Sequence, residues 1–187
     1  MSIFLISMGV IAFVVFLLIF WFIAKYNGFV YFSNLVSEAW SGVDVQLKRR
    51  YDLIPNLVET VKGYSKHEKD IFENIAKLRA ASMGAQTIEE KSEAEAGLTK
   101  ALKTLFAIAE NYPELKANQN FLVLQQELSN VEAQIQLARR YYNGVVRDYN
   151  ISIRVFPASI VAGIFHFEAK PFFELSAAER ENPKVQF

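Results

Sequence analysis

The chain contains no cysteine. Disulfides, thiolate nucleophiles and Cys-ligated zinc are therefore excluded, while the compartment is left open. Lys and Arg number 20 and Asp and Glu number 20, so no net charge remains. A nucleic-acid-binding protein normally carries a basic excess, so nucleic acid is not expected as a partner. Only two histidines occur, His67 and His166. They belong to no His-x-x-His or His-Glu-x-x-His pattern, and no metal site is expected. The eight glycines form no phosphate loop, paired-glycine fingerprint or nucleophile elbow. No catalytic constellation emerges, and neither enzymatic activity nor a cofactor is expected.

Charge is also missing from one end of the chain. Ile3 to Ala24 contains no ionisable side chain. As a helix this run of about 22 residues would be ~33 Å long, against a hydrocarbon core of ~30 Å. Trp21 and Tyr26 flank its exit and Lys25 can reach the headgroups. A cleaved signal peptide would need a basic start, a shorter apolar core and a small-residue cleavage site, none of which is present. The run is expected to be a single-pass transmembrane anchor, residues 1–27. Lys25 is the only basic residue near it, which tips the rest of the chain toward the cytoplasmic side.

Strand signals are scarce, and apolar residues recur at helical spacing. The first segment, from about Phe29 to Tyr64, has the stripe Val36, Trp40, Val43, Leu47, Arg50, Ile54, Leu57, Val61 and Tyr64. Its alternating steps of 4 and 3 match a coiled-coil-like seam. Pro55 should kink or interrupt it. Ser65 to Glu68 fits a capping box opening a second helix, which Gly84 stops. Thr87 to Glu90 fits another, with a stripe through Ala94, Leu98, Ala101, Leu105, Ile108 and Tyr112. Asn111 to Glu114 breaks the pattern. The last segment, about Leu115 to Arg154, repeats it through Phe121, Leu128, Val131, Ile135, Tyr142, Val145 and Tyr149.

Short connections make consecutive helices antiparallel. The expected fold is all-α: the anchor plus an elongated antiparallel four-helix bundle over residues 28–154, with two long and two short helices. The short pair would cover only part of the long pair. Val36, Trp40, Tyr142 and Tyr149 would then be exposed near the membrane, an apolar patch of the kind that marks a partner surface.

Arg50 is a charge on an apolar seam and needs an acidic partner. Pairing the long helices antiparallel, with residue 30 opposite about residue 154, places Glu132 near Arg50. The same register places Arg140 or Arg139 near Asp44. The expected ion pairs are Arg50–Glu132 and Asp44–Arg140 (or Arg139), all with structural roles.

The remaining segment, 155–187, opens with VFPASIVAGIFHF and ends in a polar tail. Its apolar part is too short to span as a helix. Three readings stand: packing on the helical stalk, lying in the membrane interface, or contacting another subunit through Phe156, Ile160, Ile164 and Phe165. Phe172 and Phe173 could add a second anchor.

Glu38-Ala39-Trp40-Ser41, then DVQLKRRYDLIPNLVETVKGYSKHE from Asp44, NYPELKANQNFLVLQQEL from Asn111 and ARRYYNGVVRDYN from Ala138 resemble the LemA family closely. IRVFP and Phe172-Phe173-Glu174 continue the likeness, which covers almost the whole chain. Such proteins often carry Glu-Asn-Arg-Ile where this chain has Glu132-Ala133-Gln134-Ile135. The resemblance implies a bacterial inner-membrane protein with a helical-bundle domain, usually described as cytosolic, and no established enzymatic activity. Two functions fit: a scaffold that self-assembles on membrane lipid as a homo-oligomer, or an adaptor that binds another membrane protein.

Overall fold

The computed structural model describes residues 2–65 and 68–174. These residues form six α-helices and no strand. The helices are α1 (Ser2–Lys62), α2 (Lys69–Gly84), α3 (Ile88–Ala109), α4 (Pro113–Lys116), α5 (Gln119–Arg154) and α6 (Ala158–Ile164).

Helix α1 contains both the apolar run and the first charged segment, which the sequence pattern presents as separate elements. Nothing between them forces a break, since a lone Gly28 among helix formers costs only about 1 kcal/mol. The most apolar 18-residue window of α1 has a mean hydropathy of 2.8, and none of it is buried. This helix is long and apolar enough to cross a membrane.

The interruption expected at Pro55 does not occur, because α1 continues to Lys62. Proline removes the helical donor to the carbonyl four residues earlier. That carbonyl belongs to Tyr51, and Arg79 Nε on α2 donates to it at 2.8 Å. A side chain thus replaces the bond that the proline deletes.

The capping box expected at Ser65 is not formed. Helix α2 begins at Lys69, and Glu68 in the cap position makes no side-chain capping bond. The Ser65 N–H and hydroxyl instead both donate to the Val61 carbonyl, extending the last turn of α1. Lys66 and His67 lie outside the described residues. The second box is formed: Glu90 N–H donates to Thr87 Oγ1 at 3.1 Å, and Thr87 N–H to Glu90 Oε2 at 3.3 Å. Helices α2 and α3 pack together as a hairpin. A Cβ at Gly97 would lie 3.0 Å from the Leu78 side chain, so the missing side chain permits their close approach. Beyond α3, Pro113 starts the single turn α4, and Asn118 caps α5 by accepting from Phe121 N–H at 3.1 Å.

The chain divides into two compact units. Among the described residues, one comprises 41–65, 68–143 and 171–174; the other comprises 2–40 and 144–170. The boundaries read from sequence, at 27 and 154, both fall within the second of these. The core of the first includes Leu47, Ile54 and Leu57 of α1, Ile75 of α2, Leu98 and Leu105 of α3, and Leu128 and Val131 of α5. These are the predicted stripes, with little displacement.

The unit containing residues 1–40 has a core of Phe29, Val36 and Ala39 from α1, Val146, Tyr149 and Ile153 from α5, and Ala158, Val161 and Ala162 from α6. Val36 and Tyr149, expected on an exposed stalk, are therefore buried, as are Ala158, Val161 and Ala162 of α6 in the same unit. Tyr142, in the other unit, is also buried, and its hydroxyl donates to the Pro171 carbonyl at 2.8 Å. Trp40 is half-buried. Of the four residues proposed as an exposed apolar patch, Val36, Tyr142 and Tyr149 are thus buried and Trp40 is half-buried. Phe173 is buried as well, whereas Phe172 is 40% exposed.

Helix α6 ends in a Schellman motif. His166 N–H donates to the Gly163 carbonyl and Phe167 N–H to the Ala162 carbonyl at 2.9 Å. His166 takes the left-handed conformation, φ 57°, where glycine is the usual residue.

Candidate functional site

Two features concentrate the chain's unusual chemistry, one in each unit. The first is a buried charge cluster around Arg50. Helix periodicity places Arg50 between Leu47 and Ile54 on the inner face of α1, where it is 2% exposed. Its Nη1 lies 2.8 Å from Glu132 Oε2 on α5 and donates to Thr99 Oγ1 on α3 at 3.1 Å. Its Nη2 pairs with Glu95 of α3, whose other carboxylate oxygen accepts from the Tyr51 hydroxyl. One guanidinium therefore joins α1, α3 and α5.

Burial drives the electrostatics here. It pulls the Arg50 pKa below its ordinary value, opposed by the neighbouring Glu132 carboxylate. It pushes the Tyr51 phenol up to about 12, with Arg50 acting in the opposite direction. A cleft of about 610 Å³ opens beside the cluster, lined by Arg50, Thr99, Leu102, Phe106, Ser129 and Glu132 among others. With both carboxylates engaged by Arg50, the arrangement acts as a clasp between helices.

The Arg50–Glu132 pair expected from the antiparallel register is found. Glu95 was not anticipated, although its signal is visible in retrospect. It sits on a stripe with Leu98, Leu102, Leu105 and Ala109, so it is an acid on a core face just as Arg50 is a base on one. Reading the stripe one position earlier, from Ala94, hid it. The expected Asp44–Arg140 pair is replaced: Asp44 Oδ1 lies 2.7 Å from Lys91 Nζ on α3. A register between the two long helices leaves out α3, which supplies the cation. Arg140 Nε turns back to the Gln136 carbonyl at 3.4 Å, and Arg139 Nη2 donates to Gln136 Oε1 at 2.6 Å.

The second feature is an aromatic cluster at the end of the apolar run. Phe165, just past α6, has its ring centroid 5.8 Å from that of Phe22 and 4.6 Å from that of Tyr26. Phe167 contacts Tyr26 and Phe29 at 5.8 and 5.3 Å. The Schellman turn sets these two rings on either side of His166. Nearby in the same unit, Phe156, Ile160 and Ile164 are exposed by 83%, 55% and 56%. Phe165 itself remains 45% exposed.

The backbone leaving this cluster is held by side-chain amides. Asn150 donates to the Lys170 carbonyl at 2.9 Å and accepts from Lys170 N–H at 2.8 Å. In the other unit, Asn143 holds Phe173 in the same two-bond manner, at 3.1 and 2.9 Å. Each amide pairs with both the N–H and the C=O of one residue, as a neighbouring backbone would in a β-ladder, although this segment is not a strand.

A long helix able to cross a membrane, continuous with an all-helical domain, defines a membrane-associated helical protein. The LemA family model matches residues 39–187, and the chain belongs to the LemA family. Protein LemA of Metamycoplasma hominis is 25% identical over 182 residues, covering 95% of this chain and 78% of that protein. Two magnetosome proteins of Paramagnetospirillum magneticum, MamQ 1 and MamQ 2, are each 25% identical over 193 residues. Those alignments cover 89% of this chain and 69% of each relative.

Proposed function

We propose that the protein is a non-enzymatic scaffold that assembles with copies of itself on the membrane that anchors it. The observation carrying this reading is the continuity of α1. No loop separates the apolar window from the segment that bears Arg50. A helical connection is a semi-rigid spacer, unlike a Gly/Ser-rich flexible linker, and α1 contains no such linker.

The helical domain is read as an antiparallel four-helix bundle of two long and two short helices, supported by the α2–α3 hairpin and the Arg50 clasp. Leu137 and Tyr141, one turn apart on α5, are 51% and 56% exposed and offer an apolar contact to a second copy. The membrane is read as a bacterial cytoplasmic membrane, and Lys25 beside the span favours placing the domain on its cytoplasmic side. Electron microscopy of the full-length protein in lipid discs tests the reading. A uniform homo-oligomer that Leu137→Glu and Tyr141→Glu reduce in size, with helicity retained, supports it. A particle holding one copy and a different membrane protein points instead to an adaptor.

A further inference from the structure

We infer that α6 and the turn before it form a second membrane contact, a short helix seated in the lipid interface beside the end of the spanning helix. The partner is the bilayer itself, at the boundary between headgroups and acyl chains. The inference rests on the membrane-anchored part of the proposed function and is independent of self-assembly.

Depth is fixed by the aromatic cluster. Phe22 lies two residues before the end of the apolar run, ~3 Å along a helix. The Phe165 ring is 5.8 Å from the Phe22 ring and 4.6 Å from the Tyr26 ring. If α1 crosses the bilayer through its apolar run, Phe165 sits where the hydrocarbon ends. Amphipathic aromatic residues such as Tyr26 favour that depth.

The face that α6 leaves uncovered suits the same place. Ala158, Val161 and Ala162 are buried, so one side of the helix packs on its own unit. Ile160 and Ile164, four residues apart on the other side, are exposed, and so is Phe156 in the turn before the helix. From Val155 to Phe167 there is no Asp, Glu, Lys or Arg. A seven-residue helix cannot span, but it can lie with one apolar face several ångströms into the interface. Arg154 and Lys170, on either side of the segment, are exposed and can meet headgroup phosphates. Water would otherwise face Phe156, which is 83% exposed.

Because the chain has no cysteine, single-cysteine variants give unique labels. Ile160→Cys, Ile164→Cys, Phe16→Cys in the apolar run and Val45→Cys, an exposed residue of the other unit, would each carry a nitroxide in lipid discs. Collision with oxygen, which partitions into lipid, is compared with collision with a water-soluble nickel complex. The inference predicts that labels at 160 and 164 resemble the one at 16, with oxygen favoured several-fold over nickel relative to position 45. Nickel access at 160 and 164 equal to that at 45, with position 16 still protected, overturns the inference and leaves the anchor standing. Nickel access at 16 as well overturns both. Exclusion of both probes at 160 and 164, with spin–spin broadening that unlabelled protein dilutes away, would assign the face to a second copy and also overturn it.

Discussion

Arg79 Nε donates to the main-chain carbonyl of Tyr51 at 2.8 Å, the carbonyl that Pro55 leaves without its helical donor. The proline and the arginine are thus a coupled pair on different helices. The bond is part-buried, so Arg79→Ala should destabilise the folded domain by about 0.5–1.5 kcal/mol, the net contribution of a hydrogen bond. With Pro55→Ala the helix supplies its own N–H, and the Arg79→Ala cost should shrink to that of a surface change. A double-mutant cycle from denaturant unfolding measures the coupling; additive effects would show that the bond has no role.

The Arg50 clasp makes a steeper prediction. Removing one partner of a buried ion pair strands the other charge, at about 3–5 kcal/mol. Arg50→Met should therefore cost about that much, because Glu95 is almost fully buried. The Glu132 side chain is 37% exposed, so water can replace part of its interaction. Glu132→Gln should cost about 1 kcal/mol, in the range of exposed ion pairs. Arg50→Met combined with Glu95→Leu should recover part of the single-variant loss. Unfolding midpoints of the three variants decide the order.

Stability should also fall at high pH, for a reason local to Tyr51. Its folded pKa is raised from 10.0 to about 12, so the native state holds the proton more tightly than the unfolded chain does. The contribution is fully present below pH 10 and is lost as pH rises through about 12. Burial also raises Tyr142 to about 12, so it adds to the same window. Tyr51→Phe should be less stable at neutral pH, having lost the bond to Glu95, yet show a shallower alkaline decline. Unfolding midpoints across that window test this, and an unchanged slope would remove Tyr51 from the account.

The amide clamps predict local loosening rather than unfolding. Asn143→Ala removes both bonds to the Phe173 backbone, and Asn150→Ala both bonds to that of Lys170. Each bond contributes about 0.5–1.5 kcal/mol. Hydrogen exchange at the Phe173 amide should accelerate in Asn143→Ala while exchange in α3 stays unchanged. A global rise in exchange would show that the clamp supports the whole unit.

Periodicity made the helices legible, together with the inward stripes of α1 and α5 and one partner of Arg50, because a helix of known pitch fixes which residues share a face. Thr87 and Glu90 were legible as a cap for the same local reason. Pro55 misled because its remedy, Arg79, comes from another helix. Glu95 and Lys91 are not legible from a register between two helices, because both lie on a third, α3. The burial of Val36, Tyr142 and Tyr149 is a tertiary outcome: the Tyr142 hydroxyl, for one, meets the Pro171 carbonyl 29 residues on. Asn143 and Asn150, which hold the backbone at Phe173 and Lys170, do not stand out in a hydropathy pattern.

The central claim is self-assembly at the membrane, and copy number tests it most directly. The full-length protein would be extracted with its surrounding lipid, without detergent, and the particles weighed one by one. The account predicts a narrow mass distribution at a multiple of this chain, with no stoichiometric second protein. Particles holding a single copy, alone or with one different membrane protein, would contradict it.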